Sequence, residues 1–158
     1  MADLKPAAQR VQDALRDKGL AAQVRHMGQA TRSAAEAAAA CGCSVGQIVK
    51  SLVFRGRASA KPYLLLVSGA NRVNEQGIAA AIGEALRRPD ADDVRAITGF
   101  AIGGIPPLGH ATPLTTFMDA ALLEHDVVWA AAGTPDAVFA IAPDRLATAA
   151  DAKIISVS

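Results

Sequence analysis

Two neighbouring apolar runs constrain this chain more than any other feature. Ile48 to Phe54 alternates, with Ile48, Lys50, Leu52 and Phe54 on one face of a strand and Val49, Ser51 and Val53 on the other. Pro62 to Ser68 (Pro-Tyr-Leu-Leu-Leu-Val-Ser) is nearly continuous, as expected of a strand covered on both faces. A short basic connection, Arg55 to Lys61, separates them, so the two are expected to pair as a hairpin. The alternation also sets Lys50 among large apolar side chains. An ammonium there must either reach water along its stem or be held by a partner, because burying an unpaired charge is expensive.

Around this hairpin the sequence alternates helical and extended signals. Leu4, Ala7, Ala8, Val11 and Leu15 recur at helical spacing before Gly19, and residues 20–27 read as a short strand that places His26 on one face. His26 there either lines a pocket or is satisfied by backbone or water. Ser33-Ala-Ala-Glu36 is a capping box for a helix ending near Gly42, and Asn74 caps another that Gly83 closes. Residues 89–98 contain a further short helix. Strands are expected at Pro113 to Met118, ending at Asp119, and at Val127 to Ala130, Ala137 to Ile141 and Lys153 to Val157, with a turn of helix through Leu122 and Leu123 and a helix opened by Pro143. Strands outnumber helices and are joined by hairpins and single helices, which predicts an α+β domain with a mixed, curved sheet.

The chain of 158 residues fits one domain, 1–158, with enough length to bury a core. Its net charge of +1, from interspersed residues, excludes a strongly basic nucleic-acid glove, so any nucleic acid must be gripped locally, and DNA binding is not expected. The first residues, Met-Ala-Asp-Leu-Lys-Pro, lack a basic region followed by an apolar run, and no stretch has spanning length, so no membrane association and a cytoplasmic location are expected. Cys41 and Cys43 are too close for an ordinary disulfide and too few for a zinc site. They read as reduced structural thiols. No metal or cofactor is expected, since there is no ligand cluster, P-loop, dinucleotide fingerprint or local nucleophile motif.

One loop stands apart. Thr98-Gly-Phe-Ala-Ile-Gly-Gly-Ile-Pro-Pro-Leu-Gly-His110 combines glycines, which let backbone approach a ligand, with Pro106 and Pro107, which fix φ and remove two N–H donors. Taken alone, the same residues would suit a structural turn between strands.

Read in order, Ser33 to Ala38, Gly46 to Phe54, Thr98 to Gly109, Asp119 with its preceding strand, and Trp129 to Gly133 resemble the YbaK/EbsC family, from about Val11 to Val157. These are free-standing relatives of the editing domain inserted in bacterial prolyl-tRNA synthetase. The resemblance implies a barrel-like mixed sheet flanked by helices, and hydrolysis of the ester of mischarged aminoacyl-tRNA. The expected substrate is tRNA-Pro carrying alanine, cysteine, serine or threonine, held by its acceptor end, with prolyl-tRNA synthetase or another synthetase as a partner.

On that carry-over Lys50 matches the functional lysine, and Gly103 to Pro106 match the Gly-x-x-Pro loop facing it. An aminoacyl ester is already activated, so its hydrolysis needs a positioned water or substrate hydroxyl and stabilisation of the oxyanion more than a strong nucleophile. The N–H groups of Gly103 and Gly104 are expected to bind the carbonyl oxygen while Lys50 fixes the terminal adenosine or its phosphate. Ser51, Ile105, Pro106, Gly109, His110, Asp119, Gly133, His26 and Thr31 complete the expected substrate-binding set. Ser51 stands where other members carry threonine or asparagine. Strand parity points it away from Lys50 unless a bulge intervenes. An unperturbed histidine titrates near neutrality, but His110 is taken as a pocket neighbour rather than a general base. Asp119 either anchors a pocket hydrogen bond or caps the turn after it. The rival from another class is a non-catalytic module that binds an aminoacyl or nucleotide end beside a synthetase.

Overall fold

The expected hairpin lies in the middle of one mixed sheet. β2 (Ile48–Gly56) and β3 (Pro62–Ser68) pair antiparallel in unbroken register, with Lys50 opposite Val67 and Phe54 opposite Tyr63. The structure is a computed structural model describing residues 4–158. Met1 to Asp3, part of the segment read for a leader, lie outside it.

Among the described residues eight strands make up the sheet. Besides β2 and β3 they are β1 (Arg25–His26), β4 (Leu86–Arg87), β5 (Thr115–Asp119), β6 (Val128–Ala131), β7 (Ala137–Ile141) and β8 (Lys153–Ile155). Their order is β1-β7-β6-β2-β3-β5-β8, and β4 pairs separately with the far end of β2. The β2/β6, β3/β5 and β5/β8 pairs are parallel and the rest antiparallel, so the sheet is mixed as expected.

Five α-helices of the described residues flank it: α1 (Pro6–Asp17), α2 (Ala34–Cys41), α3 (Glu75–Ile82), α4 (Ala91–Thr98) and α5 (Pro143–Ala149). The predicted caps form, with Ser33 and Asn74 side chains accepting from Glu36 N and Gly77 N and with left-handed Gly42, Gly83 and Gly99 closing α2, α3 and α4. Asp90 caps α4 by accepting from Asp93 N.

Strand parity divides the core in two. Val49, Val53, Leu64 and Leu66 pack with Val11 and Leu15 of α1, Val94 and Ile97 of α4, and Leu146 of α5. Leu52, Phe54, Tyr63, Leu65 and Val67 face the opposite way, onto Ile78 of α3 and Val157. Arg55 ties β2 to α4 through a bidentate pair with Asp93, both bonds 2.7 Å.

Two departures have physical causes. The strand expected over residues 20–27 pairs only at Arg25 and His26, because the buried Gln12 side chain of α1 takes Val24 N–H at 2.8 Å and donates to Ala22 O at 3.2 Å. β4 went unpredicted, since two residues between helices carry no periodicity.

Candidate functional site

β2 is the spine of the site. On the edge away from β3 it pairs with β6 at Ile48 and Val49, and with β4 at Arg55 and Gly56. Between those ends, among the described residues, no strand covers Lys50 to Phe54 on that edge. The 99–110 loop crosses here: Ile102, Gly103 and Ile105 line a cavity of about 300 Å³ together with Lys50, Ser51, Thr31 and Arg32.

Lys50 is not free in solvent, and it has no ion pair among the described residues. Its Nζ donates to the backbone carbonyl of Asn71 at 2.6 Å. Burial pushes its pKa below the ordinary lysine value, nearby Arg72 lowers it further, and Asp119 acts the other way. One N–H is committed to Asn71, and an ammonium carries two more that can meet a ligand.

Asp119, at the end of β5, is 2% exposed and organises the carbonyl that Lys50 uses. Its Oδ2 accepts from Ser68 N at 3.1 Å and from Asn71 Nδ2 at 2.9 Å, and its Oδ1 accepts from Ala121 N at 3.0 Å. Asp119 therefore caps the turn after β5, the second of the two sequence readings, and also anchors the Asn71 loop, while it does not itself line the Lys50 cavity.

The glycine loop is fixed from behind. Gly133 N donates to Gly104 O at 2.8 Å. A Cβ on Gly104 would lie 2.7 Å from both Cα and N of Thr134, and one on Gly133 would lie 2.6 Å from Ala7 O of α1. Only glycine permits this backbone packing. Gly103, with φ of +101°, lines the cavity, whereas Gly104 does not, and Gly104 N–H donates to Ala101 O at 3.3 Å. Gly104 and Gly133 thus hold the loop that presents Gly103, Ile105 and the exposed Ile102.

Other expected site residues fall elsewhere. His110 donates through Nε2 to Pro106 O at 2.7 Å and, with Gly109, lines a separate cavity between the loop and α5. Burial lowers its pKa, partly offset by the Pro106 contact. Gly109 packs toward Ala14 of α1. His26 lies 3.8 Å from Asp136, outside the residues lining the Lys50 cavity. Thr31 N donates to Pro135 O at 3.0 Å, and Thr31 lines the cavity. Parity is kept at Ser51, which lies on the Val49 and Val53 face, and its buried Oγ has no hydrogen-bond partner among the described residues. Sequence reasoning missed Asn71, Arg72 and Arg32, which carry no motif, and Ile102, which lies in the glycine loop but was not assigned to the site. The described residues contain no cluster of three or more His, Cys, Asp or Glu placed to hold a metal, and no described helix is long and apolar enough to cross a membrane.

With this geometry established, comparison with known proteins is decisive: residues 29–149 match the aminoacyl-tRNA editing domain. The chain belongs to that family. A solved structure of a proposed trans-editing enzyme for prolyl tRNA synthetase is 45% identical, with a TM-score of 0.93 over 99% of each chain. The structure of the hypothetical protein APE2540 is 29% identical, with a TM-score of 0.86 over 94% of this chain and 98% of that one. YwhH of Bacillus subtilis (strain 168), an uncharacterized protein, is 27% identical over 119 residues, 75% of each chain. The editing-domain fold therefore places the Lys50 cavity at the break in β2 pairing, beneath the glycine loop.

Proposed function

We propose that this editing domain, acting as one unit over residues 1–158, hydrolyses the ester of mischarged aminoacyl-tRNA in trans, as a cytoplasmic companion of prolyl-tRNA synthetase. The favoured substrate is tRNA-Pro carrying alanine, cysteine, serine or threonine. The observation that carries this reading is the Lys50 ammonium, held at 2.6 Å by Asn71 O on a cavity faced by Gly103.

In this reading the acceptor end enters beside Arg32 and Arg72, and the aminoacyl group enters between Thr31, Ile48, Val49 and Ala131. Size exclusion by these walls makes the site a second sieve, admitting small side chains. Water, positioned by a ribose hydroxyl, attacks the ester carbonyl, the tetrahedral oxyanion forms, and the ribose oxygen leaves with a proton to give free amino acid and tRNA. Gly103 N–H, on the cavity-facing glycine, is the backbone donor assigned to the oxyanion. The remaining Lys50 N–H groups hold the ribose or phosphate in register. An oxyanion donor of this type contributes about 3 kcal/mol.

The test is a deacylation screen with tRNA-Pro carrying each of the four amino acids, repeated with other tRNAs, beside Lys50→Ala. Hydrolysis well above the buffer rate, lost in Lys50→Ala, is expected. Unchanged deacylation by Lys50→Ala would overturn the Lys50 assignment, and no hydrolysis of any ester would favour a binding module.

A further inference from the structure

The cavity beside Lys50 has a second lobe. Ser51, Leu52, Ile102 and Ile105 are shared with a lobe of about 270 Å³ that continues along β2 to Phe54, Arg88, Pro89 and Val94. Small-molecule sites usually span about 300 to 1,000 Å³, so the two lobes together suit a ligand with two parts.

The wall between the lobes is polar in a specific way. Ile48 O accepts from Gly69 N and Gly56 N donates to Lys61 O, so the even-numbered residues of β2 turn their backbone groups toward β3. The register with β3 is unbroken from Val49 to Arg55, so the odd-numbered residues turn theirs outward. Val49 meets β6 and Arg55 meets β4. Ser51 and Val53 meet neither, and their N–H and C=O groups have no backbone partner among the described residues. Pro89, two residues beyond the end of β4, lacks the N–H needed to extend that ladder. The unpartnered Ser51 Oγ belongs to the same residue.

Backbone donors and acceptors left unpaired at a cavity wall call for a ligand that supplies the complement. Resting on the editing reading above, we propose that the second lobe takes the terminal adenine of the acceptor end. The base lies between Leu52, Ile102, Ile105 and Val94. Its exocyclic amine donates to a carbonyl, and its adjacent ring nitrogen accepts from an N–H, on the Ser51–Val53 edge. Ser51 Oγ meets the ribose where the lobes join, and Arg88, stacked 5.5 Å over Phe54, reaches the ribose-phosphate. The gap exposes the backbone of only two residues and is closed at both ends by strands, which suits a base rather than an extended peptide. The amino-acid lobe and the base lobe then lie on either side of the ester.

Two measurements test this with the intact protein. In an amide NMR titration, adenosine 5′-monophosphate is expected to shift the Ser51 and Val53 resonances, and cytidine 5′-monophosphate to leave them unmoved. Replacing the terminal adenosine of the aminoacyl-tRNA by purine riboside, which lacks the exocyclic amine, is expected to lower kcat/KM about tenfold, the scale of one bidentate base contact. Equal shifts with both nucleotides, or no shift at these amides, would overturn the adenine assignment. So would hydrolysis indifferent to the base change, while leaving the editing reading intact. Failure to hydrolyse any ester, with the adenosine-specific shifts present, would instead overturn the editing reading and leave the nucleoside site standing.

Discussion

Lys50 Nζ donates to the main-chain carbonyl of Asn71 at 2.6 Å, and Asn71 is itself held by Asp119 through its side-chain amide at 2.9 Å. The lysine is thus positioned by a backbone group whose own place depends on a buried carboxylate. Loss of a buried acceptor leaves its donors unsatisfied, which costs more than the bonds alone. Asp119→Ala strands Ser68 N, Ala121 N and the Asn71 amide, and is expected to lower unfolding free energy by about 3 kcal/mol. Asn71→Ala keeps the carbonyl that Lys50 uses and should cost about 1 kcal/mol. Urea unfolding of the two variants checks the order. An Asp119→Ala protein as stable as Asn71→Ala would remove Asp119 from this role.

The depressed Lys50 pKa gives a linked pair of pH effects. The unfolded chain binds more protons than the folded one between the folded value and about 10.4, so Lys50 favours folding more as pH rises through that window. Deacylation needing the ammonium should run the other way, falling on the alkaline side before an ordinary lysine would titrate. Lys50→Met, which removes the buried charge, is expected to be at least as stable as the parent at neutral pH while losing about 100-fold in kcat/KM. Rates corrected for spontaneous ester hydrolysis, set beside thermal melts, measure both. A variant that loses stability and activity together would show that Lys50 is structural.

The glycines of the loop separate into two kinds of sensitivity. Gly104→Ala drives a Cβ into Thr134 backbone at 2.7 Å, which cannot yield as a flexible side chain would. It should destabilise by about 3 kcal/mol and remove activity without changing any group that lines the cavity. Gly103→Ala meets nothing closer than Pro135 Cγ at 3.7 Å, and its cost is the positive φ of +101°, about 1 to 2 kcal/mol. Denaturant midpoints and kcat/KM for both variants test the split. Equal stability losses would mean that the loop moves freely off Thr134.

How far this was readable in advance depends on what each residue does locally. Helix caps at Ser33 and Asn74, the Lys50 face of β2 and the hairpin with β3 follow from short-range pattern, because capping and alternation are set within a few residues. The Asn71 carbonyl has no side-chain signature, since any residue at that position offers one. The break in pairing along β2 arises from where β4 and β6 stop, which are long-range facts. Residues 20–24 look like a strand until Gln12, a dozen residues upstream, takes their backbone groups. The Gly-x-x-Pro resemblance pointed to the loop, but whether Gly103 or Gly104 faces the cavity depends on the contact with Thr134.

His110 supplies the sharpest negative prediction. Its ring is tied to Pro106 O at 2.7 Å and faces a cavity lined by Lys18, Thr112 and Ala150 rather than Lys50. A general base must be within reach of the attacking water. His110→Gln is therefore expected to leave kcat/KM for the best ester within about twofold, because an amide can still donate to Pro106 O. Its effect should appear in stability. Burial lowers the folded pKa below the ordinary value of about 6.5, so the unfolded chain binds more protons as pH falls through that value. The parent should lose stability below that pH, and His110→Gln should lose less. Parallel urea titrations on both sides of the ordinary histidine pKa measure the difference. A large fall in kcat/KM for His110→Gln, with its fold intact, would return this histidine to the reaction.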